Sequence, residues 1–205
     1  SPYAKTLART TRRPVDILHQ ATDPAVFTGE EPIAPPAPLL FVGNSRREYR
    51  RMVRWCVEEK LDVAVYGTLW EGLIPEPLIR GAHIPNEELG RWYAGAGVVL
   101  NDHWDTMLSG GFLSNRLFDA SAAGAFIITD PVAGLAEVFG DAIETADSGP
   151  ELAEKARAYL AEPERARAKA AAARDLVLAA HTFDHRADVI ERTAIALLRS
   201  RGLLL

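Results

Sequence analysis

Cysteine is almost missing from this sequence. Cys56 stands alone among 205 residues, so no disulfide can form within the chain, and its place in a helical apolar pattern reads as a buried thiol. Long apolar runs are missing too. None could span a bilayer, and no signal-peptide pattern opens the chain, so a soluble, cytoplasmic protein with no transmembrane segment is the expectation. Nor is positive charge gathered in one place. With 23 Lys and Arg against 28 Asp and Glu the net charge is −5, and without a basic stripe nucleic acid is not an expected partner. The turn after the first strand lacks G-x-G-x-x-G, which argues against a dinucleotide site. It also lacks the acidic, glycine-rich loop of a methyltransferase, and no acidic pair follows it as in a receiver domain. The remaining sequence is ample for one α/β domain with a real core and flanking elements.

One stretch carries most of the information. Gly110-Gly111-Phe112-Leu113-Ser114-Asn115-Arg116-Leu117-Phe118-Asp119 runs through Ala120-Ser121-Ala122-Ala123-Gly124 into Phe126-Ile127-Ile128-Thr129-Asp130. It reads as a glycine-rich loop, a short helix, a tight stop and a buried strand. Ser114 suits the N-cap and Gly124 the left-handed residue that ends a helix. Small residues at 120, 122 and 123 let the helix lie close to a sheet. A loop running into a helix N-terminus leaves backbone N–H groups free to meet an anion. Phe112, Leu113 and Ser114 would offer those amides, and Arg116 would lie in the first turn. Asn115 and Asp119 are four apart and share a face. The layout suits a nucleotide, with the diphosphate at the amides and the ribose hydroxyls at Asp119. The plain alternative is an Arg116–Asp119 ion pair on a surface helix, worth well under about 1 kcal/mol.

Taken in order, residues 1–38 give a basic lead, a short apolar run and a proline-rich spacer, readable as an arm or a connector. Leu39 to Asn44 is the first strand, and a helix is expected from about Arg46 to Lys60. Gly43 permits close backbone approach, Asn44 completes the turn, Ser45 can cap the helix, and Arg46 or Arg47 lies within reach of a phosphate. Asp62 to Gly67 is a second strand, with Trp70 either a core residue or the border of a ligand. Asn86 is expected to cap a helix that leads into the strand Gly97 to Asn101. Asp102-His103-Trp104-Asp105 follows. It has neither a second His nor a Cys at ligand spacing, so no metal site is expected there; a mobile loop lining a cleft, with Asp102 or His103 near a substrate, and a solvated turn are the two readings left. A long Ala-, Glu- and Arg-rich helical region broken at Pro163 leads to a final helix after His181-Thr182-Phe183-Asp184-His185. The sheet pattern predicts an α/β, Rossmann-like open parallel sheet with helices on both faces, over residues 39–180, with 181–205 as a terminal helix.

"NRLFDASAAGAFIITD" resembles the signature of the C-terminal domain of GT-B glycosyltransferases, in the group-1 superfamily and its CgeB-like branch. "IPNEELGRWYAGAGVVLN", "HQATDPAVF" and "HTFDHRA" resemble that family's approach to the donor loop, its interdomain connector and its closing helix. The resemblance implies a retaining, metal-independent transfer of a hexose-type sugar from a nucleotide-sugar, with UDP the first choice and GDP or ADP alternatives. It implies no cofactor beyond that donor. Asp119 matches the second acid of the family's acidic pair, and Gly111 stands where the first would be. Arg116, with Arg46, would stabilise the leaving diphosphate, and the loop with His83 and Ile84 would read the base through its main chain. His83 is equally well read as a solvent-facing loop residue. The chain opens Ser1-Pro2-Tyr3 without Met, and a partner Rossmann-like domain is expected upstream, toward which the terminal helix would pack. The chain alone would then be incomplete and inactive. A non-catalytic module, a degenerate transferase half used for sensing or assembly, is the rival reading.

Overall fold

A computed structural model describes residues 1–203. Six strands form one wholly parallel sheet: β1 Leu39–Val42, β2 Val63–Tyr66, β3 Ile79–Gly81, β4 Val98–Asn101, β5 Ile127–Thr129 and β6 Glu144–Thr145. Their order is β3-β2-β1-β4-β5-β6, so the chain reverses its direction of winding between β1 and β4. All side chains of β2 and β4 are buried, as expected of strands covered on both faces.

Alternate residues along the strands divide the core in two. Leu39, Phe41, Val63, Val65, Val98 and Leu100 pack against α2 (Arg51–Glu58) and α7 (Gly149–Ala161). Leu40, Ala64 and Val99 pack with Leu117 and Phe118 of α5 (Asn115–Ala122), Tyr93 of α3 (Asn86–Gly95) and Ala173 and Val177 of α8 (Pro163–Ala180). The expected small face of α5 is there: Ala120, Ala122 and Ala123 are all buried, and Gly124 at φ 78° ends the helix.

Several local expectations are corrected. The helix after β1 begins at Arg51, five residues later than its pattern suggested, because Arg46 and Arg47 are left-handed at φ 54° and 62°. Ser45 caps no helix; its Oγ accepts the Arg47 N–H at 2.9 Å and donates to the Leu69 carbonyl. Asn86 is the first residue of α3 rather than its cap. Of the two readings of Trp70 the core one holds: it is fully buried, edge-on to Phe41, with its Nε1–H on the Gly43 carbonyl at 2.8 Å. The segment ahead of the glycine pair is helical, α4 (Asp105–Gly110), where no element was expected.

At the flanks, α1 (Pro2–Thr11) lies on α4, and α9 (Phe183–Ser200) buries none of its side chains. Thr182 and His185 form a capping box that starts α9. Leu204 and Leu205, the end of the terminal helix expected over 181–205, lie outside the described residues.

Candidate functional site

In an open parallel sheet the loops leaving two neighbouring strands on opposite faces part to leave a crevice. Here β1 leads to α2 on one face, and β4 leads through α4 to α5 on the other. Arg116 reaches from the first turn of α5 across this switch point. Its Nη2–H donates to the Val42 carbonyl at the end of β1, and its Nη1–H to Asn101 Oδ1 at the end of β4, 2.8 Å away. Asn101 in turn donates to Thr129 Oγ1 at 2.8 Å. A Cβ at Gly43 would come within 2.9 Å of Arg116 Nη2, so glycine there makes room for the guanidinium. All the acceptors around this half-buried cation are neutral, and among the described residues it has no ion-pair partner.

Asp119 lies one turn further along α5, 9% exposed, and accepts from Asn115 Nδ2 at 2.6 Å. Burial pushes its carboxyl up to about 6, against the opposing pull of the Asn115 amide and the Arg116 charge. Arg116 and Asp119 do not form an ion pair, so the surface-pair alternative does not describe this helix.

The glycine-rich loop differs from its expected role. Phe112 N–H is bonded to the Met107 carbonyl at 2.9 Å, and Ser114 N–H to His103 Nε2 at 3.1 Å. Those two amides are therefore turned onto the protein, and Ser114 occupies the N-cap position without a side-chain bond. The Asn115 and Arg116 amides at the helix start still lack intrahelical partners. Leu113 is buried core, and Phe112 is half exposed with its ring 5.4 Å from Tyr3 of α1. Gly111 is the left-handed cap of α4 at φ 65°, and a Cβ there would lie 2.6 Å from Pro2 Cδ. Position 111 has no room for an acid.

The tetrapeptide after β4 lines a cleft, with Asp102 and His103 buried, Trp104 half-buried and Asp105 exposed. His103 is fully buried as a side chain, its Nδ1 2.6 Å from Asp130 Oδ1. Because Nε2 accepts the Ser114 amide, Nδ1 carries the proton and donates to Asp130. Asp130, at the end of β5, also accepts the His103 N–H at 3.1 Å and Arg51 Nη1 at 3.1 Å. Asp102 pairs with Arg50, whose guanidinium lies 3.9 Å over the Trp104 ring. Sequence reasoning missed Asn101, Asp130, Arg50 and Arg51; a polar residue ending each apolar strand run was the available signal for the first two.

A cleft of about 500 Å³ is lined by Arg46, Tyr49, Arg50, Arg51, Asp102 and Trp104, among others, with Arg46 stacked 5.0 Å from Trp104. Arg116 and Asp119 are not among its lining residues. Gly43, Asn44 and Ser45 are held by the end of β2 and the loop after it: Gly43 N–H donates to the Tyr66 carbonyl, Ser45 N–H donates to the Thr68 carbonyl, and Asn44 Oδ1 accepts the Thr68 N–H. Beyond β3, His83 is exposed and Ile84 buried, and no hydrogen bond of the crevice reaches either. Among the described residues no group of three or more His, Cys, Asp or Glu could hold a metal ion, and no helix is long and apolar enough to cross a membrane.

An α/β domain with winding reversed at β1 and β4 and a cationic crevice beyond the strand ends defines the class: a Rossmann-like domain. Residues 46–192 match the family model described as glycosyl transferase-like, and the chain belongs to that family. Its fold is that of GT-B glycosyltransferases. It is similar to sucrose-phosphate synthase from Thermosynechococcus elongatus (TM-score 0.74, 18% identity, 98% of this chain and 57% of that one). It is also similar to T4 phage BGT in complex with its UDP-glucose substrate (0.60, 14%, 88% and 51%). A third likeness is to the pneumococcal O-GlcNAc transferase GtfA in complex with UDP and GlcNAc (0.56, 17%, 90% and 39%). The chain thus spans between 39% and 57% of these chains. No curated protein matches it.

Proposed function

We propose that the crevice between β1 and β4 binds the diphosphate of a nucleotide-sugar, and that the chain is the donor half of a retaining, CgeB-like glycosyltransferase. One observation carries this reading: a half-buried arginine at the switch point with only neutral acceptors around it. A cation so placed is poorly compensated by the protein, and a bound anion would complete it. The free amides of Asn115 and Arg116 at the helix start add to the same field. Asp119 takes the ribose hydroxyls, and the His83–Ile84 loop reads the base through its main chain. Arg116 and Arg46 meet the charge that develops on the departing diphosphate, so the mechanism asks nothing further of a metal. UDP-hexose is the expected donor, with GDP- or ADP-sugars behind it, in the cytoplasm. A partner Rossmann-like domain supplies the acceptor site, and this chain alone binds without transferring.

Calorimetric titration with UDP, GDP and ADP tests the reading. Binding of one of them, weakened about 10- to 100-fold in Arg116→Met, is expected from the loss of a charged hydrogen bond. Absence of heat from all three would favour the second reading, a non-catalytic module. The crowded, left-handed Gly111, with no place for the family's first acid, is the observation on that side.

A further inference from the structure

Three arginines are met by side chains at the ends of β4 and β5, and the three meetings are not alike. Asp102, just past β4, takes Arg50. Asp130, just past β5, takes Arg51 Nη1 at 3.1 Å. Asn101, the last residue of β4, takes Arg116 Nη1 at 2.8 Å. The first two cations meet carboxylates and are neutralised in place. The third meets an amide and keeps its charge, because a guanidinium does not lose its proton in a protein.

The amide can face only one way. Arg116 has donors and no acceptor, so Oδ1 is the atom turned toward it, and Nδ2 is left to donate to Thr129 Oγ1 at 2.8 Å. Asn101 and Thr129 are partners in register across β4 and β5, and both are fully buried, so the sheet itself sets this orientation. The other acceptor of Arg116 is the Val42 carbonyl, a main-chain group that no substitution can charge. Asp119, one turn along α5, bonds Asn115 instead. Of the two acceptors that hold the guanidinium, only Asn101 can therefore be charged by a change of sequence.

We infer that Asn101 is the positioning residue of the anion site: it fixes Arg116 at the crevice with an acceptor that carries no charge, and a carboxylate in its place would weaken the site for diphosphate. The inference rests on the donor reading above and adds the residue on which that arginine's uncompensated charge depends. Asn101 is too deep to touch a ligand and acts only through Arg116.

Asn101→Asp is the test, because it exchanges an amide for a carboxylate of nearly the same shape. The new oxygens find partners already in place. Arg116 lies on one side, and on the other the Thr129 hydroxyl can turn to donate, giving up its long bond to Asp130 at 3.3 Å. Calorimetry with UDP, GDP and ADP at pH 8 is read beside a melting curve. Each diphosphate that the wild type binds is expected to bind about 10- to 100-fold more weakly, as in Arg116→Met. The melting midpoint stays within about 5 °C of wild type, since a buried ion pair roughly breaks even in stability. Should Asn101→Asp unfold or melt more than about 5 °C lower, two variants of Thr129 decide. Thr129→Val removes the acceptor that holds the amide and is expected to weaken binding about fivefold, whereas Thr129→Ser keeps the hydroxyl and restores it.

Wild-type affinity in folded Asn101→Asp overturns the inference and leaves the donor reading standing. Where Thr129 decides, wild-type affinity in Thr129→Val, or a Thr129→Ser as weak as Thr129→Val, does the same. Failure of the wild type to bind any of the three diphosphates overturns the donor reading itself.

Discussion

The two walls of the crevice handle charge in opposite ways. On the β1–α2 wall cations are plentiful and mostly spoken for: Arg50 by Asp102, Arg51 by Asp130 and Asp105, Arg54 by Glu58. On the α5 wall a single arginine meets only neutral oxygens, and a nearby carboxyl is held up to about 6 by burial. Ion pairs satisfied within the protein make a scaffold, whereas charges that the protein leaves uncompensated are the ones a ligand can complete. On the proposed reading one wall is structural and the other recognises the ligand, with Arg46 as the exception on the scaffold side.

Breaking the scaffold should have the largest effect on stability. Asp130→Ala removes the partner of a buried imidazole N–H and of Arg51, and a buried pair broken on one side costs roughly 3–5 kcal/mol. Thermal unfolding should move down by on the order of 10 °C, with nucleotide binding reduced only through loss of folded protein. Arg116→Met should invert that result: the midpoint shifts by a few degrees at most, while nucleotide affinity falls 10- to 100-fold by about 1.5–3 kcal/mol.

Asp119→Asn sharpens the comparison, because the carboxylate's functional and structural interests conflict. Its folded pKa, about 6, lies above the unfolded value of 3.8. The folded state therefore holds the proton more tightly, and stability falls as pH rises from about 4 through 6. Ionised at pH 7.5, this group opposes folding by on the order of 2–3 kcal/mol. The asparagine variant should melt several degrees higher than wild type at pH 7.5 and show no advantage at pH 3.5, where both side chains are neutral. It should bind nucleotide more weakly at the higher pH; melting curves at the two pH values and one titration check all three statements. The smallest effect belongs to Arg54→Ala, which removes an exposed i,i+4 pair with Glu58 and should change the midpoint by no more than about 1 °C and binding not at all.

Sheet, layers and the α5 unit were legible because they are written locally. Apolar runs closed by Gly or Asn, the small-residue face at 120–123 and the left-handed Gly124 each need only a few neighbouring residues to be read. The contacts that shape the crevice are written across the chain. Arg51 meets Asp130 over 79 positions, Arg50 meets Asp102 over 52 and His103 meets Asp130 over 27. No periodicity connects such partners, so Asp102-His103-Trp104-Asp105 reads as polar loop although its central histidine is buried. The late start of α2 escaped for a related reason: two arginines in a left-handed conformation follow from the turn that Ser45 and Leu69 make together, not from arginine's own preferences. The amides of Phe112 and Ser114 were the natural anion donors until an unforeseen helix and a buried imidazole claimed them.

The joint at Thr22 and Thr182 has a mechanical consequence. Their backbones bridge in parallel, Thr22 N–H to the His181 carbonyl at 3.1 Å and Phe183 N–H to the Thr22 carbonyl at 3.1 Å. Arg186 grips the His19 and Gln20 carbonyls beside them, at 2.7 and 2.8 Å. The segment before the domain and the helix after it therefore pass through one clasp. Torque applied to the terminal helix reaches the domain through that clasp, like a door hung on one pivot, whereas the leading segment is braced a second time where α1 lies on α4.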